Sequence, residues 1–150
     1  MGPSDWINMA IGLVTLAGVI GVFYQLQGLN RQTRMHSFAE YTRRYKDIVL
    51  KFPEDINDKD FVLDKERKDY DDVMRYMRAY YDLCFEEWYL HGKGDIGDDY
   101  WEIWRGGMKT AFSKPAFQQA WQIMQSDTNF GCKFSDFVEK VTKEACSEHQ

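Results

Sequence analysis

No charged residue stands between Trp6 and Leu26. A run of 21 residues without Asp, Glu, Lys, Arg or His cannot give a helix a charged, solvated face, so a surface helix of an ordinary water-soluble domain is excluded there. As a helix it covers roughly 31 Å, the thickness of a bilayer's hydrocarbon core, and it reads as one transmembrane helix. Lys and Arg are also missing ahead of it, in Met-Gly-Pro-Ser-Asp. A cleaved signal peptide has a basic start and a shorter apolar core, so the run is expected to stay as an anchor. Trp6 stands where myristoylation of Gly2 requires Ser or Thr.

Cysteine is scarce. Cys84, Cys132 and Cys146 are odd in number, widely spaced and form no Cys-x-x-Cys, which suits free thiols in a reducing compartment. Histidine is absent from the uncharged run, which removes an imidazole ligand for a haem or chlorophyll metal at membrane depth. There is no Gly-x-Ser-x-Gly and no Cys with a local His partner. The loop Gly92-Lys-Gly-Asp-Ile-Gly97 lacks the Lys-Ser/Thr of a phosphate loop. No segment alternates as a strand does, so the fold class is all-α.

What is present is a graded charge. Arg31, Arg34, Arg43, Arg44, Lys46 and Lys51 follow the run directly, against Glu40 and Asp47, while acids outnumber bases from Pro53 onward. The positive-inside rule then places the protein in the inner (plasma) membrane as a single-pass protein, N-terminus outside and C-terminal domain in the cytoplasm. An acidic bulk domain argues against nucleic acid as a partner. Trp6 and Tyr24 take positions of an interfacial aromatic belt. Arg31 and Arg34 fall where they can meet anionic headgroups, or else decorate a solvated stalk. Ala10, Ala17, Gly21 and Gly28 recur at spacings that share one helix face, and such small residues let another membrane helix approach closely. The partners expected are the lipid bilayer and transmembrane helices of other subunits or of a second copy.

The chain divides as 1–28 (tail and transmembrane helix), 29–52 (basic, amphipathic juxtamembrane helix) and 53–150 (acidic helical bundle). Gly28 is where the rod could bend. Phe38, Tyr41, Tyr45, Ile48, Val49 and Phe52 form one apolar face, and Pro53 ends the helix. The acidic connector 54–64 should tuck Phe61 and Leu63 inward. A helix over 65–91 carries Tyr70, Val73, Met77, Tyr80, Tyr81, Cys84, Trp88 and His91 on one stripe, with Asp64 capping its start and Gly92 its end. Asp99 with Glu102 three residues on predicts a capping box, and Trp101, Trp104, Met108, Ala111 and Phe112 the buried face that follows. Pro115 starts a helix that buries Phe117, Ala120, Trp121 and Met124. Phe134, Phe137, Val138 and Val141 carry a last short helix.

The run Tyr81–Lys109, followed by Phe112-Ser-Lys-Pro-Ala-Phe117 and Trp121, with Gln25, Gln27, Arg31 and Arg34 ahead of it, resembles uncharacterised bacterial single-span membrane proteins. These have an N-terminal transmembrane helix and a C-terminal all-helical domain. The resemblance stops short of residues 127–150. Its shared motifs are caps, turns and core aromatics, so it implies an architecture and no activity.

Candidate sites weigh little. His91 lies four residues after Glu87 and His36 four before Glu40, whereas a carboxylate-bridged di-iron bundle needs Glu-x-x-His, and position 88 is Trp. No metal, no cofactor and no catalytic residue is expected. The pairs Asp71-Asp72, Glu86-Glu87 and Asp98-Asp99 read as solvated surface, because adjacent helical residues do not share a face. Aromatics make up 16% of the chain and read as core at helical spacing, though some could line a ligand site or anchor a partner. The function expected is a non-enzymatic accessory or scaffolding subunit of a membrane complex. The alternative is a membrane-tethered regulator or sensor whose bundle binds a ligand or a signalling protein.

Overall fold

The computed structural model describes the backbone of residues 3–147 and the side chains of residues 15–29 and 32–147. Among the described residues it contains five α-helices and no strand: α1 (Pro3–Val49), α2 (Tyr70–Gly92), α3 (Asp98–Phe112), α4 (Pro115–Met124) and α5 (Cys132–Ser147). A 3-10 turn, Glu54–Asn57, follows α1. The chain forms two compact units, Met1–Ser37 and Phe38–Gln150.

The described residues of the first unit are helix alone. Leu16, Val19, Ile20, Val22, Phe23, Leu26 and Leu29 are all exposed. The helix passes unbroken through Gly28. A glycine weakens a helix by about 1 kcal/mol against Ala but leaves its hydrogen-bond ladder intact. Among the described residues no helix is long and apolar enough to cross a membrane. Described side chains take up the uncharged run only at Thr15, and past Leu26 the helix turns polar with Gln27 and Gln32. That described remainder falls short of the roughly 20 apolar residues a span requires.

In the second unit the four helices α2 to α5 close around aromatic rings. Tyr81 stacks between Phe112 and Trp121, at 5.1 and 4.9 Å between ring centres. Its hydroxyl donates to the Phe117 carbonyl at 3.0 Å, so its polar end is satisfied inside the core. Phe134 is fully buried and meets Phe85, Trp88, Trp121, Phe130 and Phe137. Phe61 and Leu63 do tuck inward. The reason is polar as well as apolar: Gln119 on α4 accepts from the Leu63 N–H at 2.8 Å and donates to the Phe61 carbonyl at 2.9 Å. Arg67 closes the same connector. Its guanidinium lies over the Phe61 ring and donates to both Asp55 and Asp69.

Several helix ends differ from expectation. The second helix begins at Tyr70, not after Asp64. Asp64 instead accepts from the backbone N–H groups of Glu66 and Arg67 and closes a separate turn. No capping box forms at Asp99, because α3 starts one residue earlier with Gly97 as its cap. Asp98 points back to His91, whose Nε2 lies 3.1 Å away. Gly92 stays inside α2, and it is Gly94 that takes the left-handed φ of +79° in the loop. Pro115 does open α4, at the position where its missing N–H costs nothing. The last helix is longer than expected, 16 residues, and is fastened to α3 by an ion pair between Arg105 and Glu144.

From Phe38 onward α1 belongs to this unit, yet none of its side chains there is fully buried. Phe38 stacks on Tyr100 and Trp104, and Tyr41 leans on Trp104. Of the expected apolar face, Tyr45 and Val49 remain exposed. The physical reason is the open space beneath them.

Candidate functional site

A cavity of about 250 Å³ lies where the end of α1 faces α2 and α3. From α1 it is lined by Phe38, Thr42 and Tyr45, from α2 by Tyr80, Leu83, Cys84 and Glu87, and from α3 by Ile103, Trp104, Gly107 and Met108. A second groove of about 280 Å³ runs under Tyr45, Val49 and Phe52 and shares Tyr45, Tyr80 and Gly107 with the first. An engineered apolar cavity of about 150 Å³ takes benzene, so the first cavity has room for a small ring with a side arm.

Helical spacing builds this lining. Tyr80, Leu83, Cys84 and Glu87 recur at steps of three, one and three, so they share a face of α2. On α3, Ile103, Trp104, Gly107 and Met108 do the same. Gly107 contributes by omission. A Cβ placed on it would meet no atom within 4 Å, so any larger residue would project into free space. Its φ is not left-handed, and the turn around it demands no glycine.

The one charged residue of the lining is Glu87, only 5% exposed. The acidic pair was expected to be solvated; instead its two members separate. Glu86 is half-exposed and receives two hydrogen bonds from Arg44, at 2.6 and 3.2 Å, and a longer one from the Tyr41 hydroxyl. Arg44 is thereby engaged. Among the described residues no group hydrogen-bonds to the Glu87 carboxyl. Burial pushes its pKa up to about 8, against a partial pull from Arg44 and with a further push from Glu86. Glu87 is therefore neutral at pH 7, a carboxylic acid presented to an apolar space.

The other titratable groups are quiet. Burial raises the Cys84 thiol and the Tyr80 hydroxyl well above their ordinary values, so neither is an anion at neutral pH. The arrangement can hold an apolar body and engage one donor-bearing head.

The residues expected to matter lie elsewhere. Ala17, Gly21, Tyr24, Gly28 and Arg34 are exposed on α1. Spacings of four and seven along the unbroken helix keep Ala17, Gly21 and Gly28 on one face, and the space around Gly21 and Gly28 is open. The side chains of Trp6, Ala10 and Arg31 lie outside the described residues. His91 stacks on Trp101 at 4.5 Å, facing Asp98, and does not join Glu87. Among the described residues no group of three or more His, Cys, Asp or Glu side chains could hold a metal ion. Sequence reasoning weighs Glu87 only as a metal partner of His91 and as solvated surface, and gives Gly107 no role. Their signal was available: Glu87 falls three residues after Cys84 and seven after Tyr80, on the buried stripe itself. No protein family, no characterised protein and no solved structure matches this chain.

Proposed function

We propose that the protein is a non-enzymatic accessory or scaffolding subunit of a membrane complex, anchored by one transmembrane helix over Trp6–Leu26. In this reading it sits in the inner membrane, N-terminus outside and bundle in the cytoplasm. The carrying observation is the ring of exposed Leu, Val, Ile and Phe side chains on α1 from Leu16 to Leu29. A helix that is apolar all round needs lipid or other helices about it. The residues ahead of Thr15 extend the uncharged run to spanning length. Ala17, Gly21 and Gly28, with Ala10, supply the face that neighbouring helices would approach, and the resemblance to single-span bacterial membrane proteins points the same way.

The test is extraction. Membranes washed in alkaline carbonate should retain the full chain, and reporter fusions should read residue 150 as cytoplasmic. Release into the wash rejects the anchor, and an external readout reverses the orientation. Replacing Ala17 and Gly21 with Leu should cut co-purification of partner subunits while leaving the bundle folded; unchanged recovery rejects that face as the contact. The cavity with its buried carboxyl favours a second reading, a tethered sensor or regulator whose bundle binds a ligand.

A further inference from the structure

We propose that the cavity between α1, α2 and α3 is a binding site for a small apolar amine, its ring or alkyl body against the aromatic walls and its ammonium on Glu87. The inference rests on the ligand-binding reading of the bundle and not on the membrane anchor.

Three observations select this class. The first is open volume: Gly107, itself exposed, borders the cavity from the middle of α3, where nothing in the backbone requires glycine. A helix interior normally favours Ala there, so the omission costs helix stability and keeps space. The second is Glu87, 5% exposed, lining the cavity and lacking a hydrogen-bond partner while its neighbour Glu86 holds the nearby Arg44. Among the described residues no protein group occupies its hydrogen-bonding positions, which leaves them to a ligand in the cavity. The third is the wall. Phe38, Tyr45, Tyr80 and Trp104 line the same cavity as Glu87, and aromatic rings favour an organic cation.

Competing heads fit less well. A carboxylate ligand would place its negative charge near Glu86, with Arg44 already engaged, and could take only a hydrogen bond from the neutral Glu87. An alcohol would form a neutral hydrogen bond, weaker than the charge-assisted bond of an ammonium to a carboxylate. The charge balance is explicit. A cationic amine, R–NH3+, meets Glu87 in its COOH form; the ion pair R–NH3+ with Glu87–COO− forms, and one proton leaves to solvent. The titratable and charged groups that interact with Glu87 are Arg44 and Tyr41 from α1 and Glu86 and Cys84 from α2, while α3 contributes no charged residue to the lining.

Calorimetry on the full-length chain with phenethylamine, 2-phenylethanol and 3-phenylpropanoate tests the proposal. Phenethylamine should bind saturably at pH 7 and release about one proton, read from the dependence of heat on the buffer's ionisation enthalpy. Glu87→Gln should abolish that release and weaken the amine by at least about tenfold, the worth of one charge-assisted bond. Gly107→Leu should block binding while α-helical circular dichroism is kept; where that variant fails to fold, Glu87→Gln alone decides. Alcohol binding as tight as amine binding, or an unchanged amine affinity in Glu87→Gln, overturns the amine class but leaves a ligand site. Absence of saturable binding by all three overturns the ligand reading as well.

Discussion

Tyr80 and Tyr81 are neighbours on α2 and face two different interiors. Tyr81 is sandwiched between Phe112 and Trp121, with its hydroxyl bonded to the Phe117 carbonyl. Tyr80 lines both the cavity and the adjoining groove. One half of the bundle is built of rings in contact, with a pocket of about 200 Å³ beside Tyr81 and Trp121, while the other holds the larger cavity, a glycine and a buried carboxyl. Both halves use the same helix and the same kinds of residue. The polar groups differ as well: the Tyr81 hydroxyl is hydrogen-bonded, the Trp121 Nε1 beside it is buried without a partner, and Glu87 presents its carboxyl to the cavity.

The sharpest way to break this comparison is to truncate on each side. Phe134→Ala removes a fully buried ring from the filled half, and the surrounding helices cannot collapse onto the gap. A loss of about 3–5 kcal/mol is expected, a large share of a small domain's stability. Tyr45→Ala removes a ring of similar size from the open half. Its ring is 43% exposed and already borders free space, so a loss of under about 1 kcal/mol is expected. Urea titration of the two full-length variants gives both numbers, and equal losses would erase the distinction between the halves.

Next in size is Glu87→Gln, and here the sign is the informative part. Glu87 has a folded pKa of about 8 against 4.5 in the unfolded chain. Between those values the native state holds a proton that the unfolded state releases, so stability falls as pH rises through that window. By pH 7 the loss reaches roughly 3 kcal/mol. Gln cannot ionise, so the variant should be more stable than the parent by about that amount at pH 7 and by little at pH 4.5. The Asp127 carboxyl does not obscure this. Arg78 holds its pKa down to about 2, so its contribution is lost only as pH falls below the carboxylate range. Urea midpoints of parent and variant at pH 4.5 and 7 check the slope; parallel curves would mean that Glu87 ionises freely.

That Glu87 had to be found in three dimensions says what a sequence exposes. The helices after residue 70 were legible because Val73, Met77, Tyr81 and Cys84, then Met108 and Phe112, then Phe117, Ala120, Trp121 and Met124 keep the helical period, and all are buried. Helix ends were less legible. Asp64 and Asp99 carry capping side chains, but Asp64 closes a turn of its own and Gly97 takes the cap ahead of α3. The cavity was not legible at all, because its width depends on how far α1 stands from α2 and α3. Glu87 was legible by spacing and was passed over because it stands beside Glu86. An adjacent pair of like residues on a helix is two positions with two environments, and only the stripe tells them apart.

A smaller effect belongs to Gly107. With open space for a Cβ and no left-handed φ, Gly107→Ala should stabilise α3 by about 0.5–1 kcal/mol through the unfolded chain's lost freedom. In a filled half the same change would meet atoms and cost stability. A rise in the urea midpoint with an unchanged slope is the expected result, and a fall would mean that the space is narrower than drawn.

The smallest effect is the one that holds α1 against the open half. Arg44 and Glu86 form the ion pair that draws α1 toward α2, with side chains 38% and 42% exposed. Exposed pairs contribute about 0.2–1 kcal/mol, and salt screens them. A double-mutant cycle of Arg44→Ala and Glu86→Ala should therefore return a coupling in that range, falling between low and high ionic strength. Since no side chain of α1 from Phe38 to Val49 is fully buried, a weak ion pair, partly exposed ring contacts and the half-buried Ile48 packed on the core hold that segment. Amide exchange should accordingly be faster over residues 38–49 than over the middle of α2. A coupling well above 1 kcal/mol, or equal protection of the two helices, would mean that α1 closes the cavity as firmly as the rings close the other half.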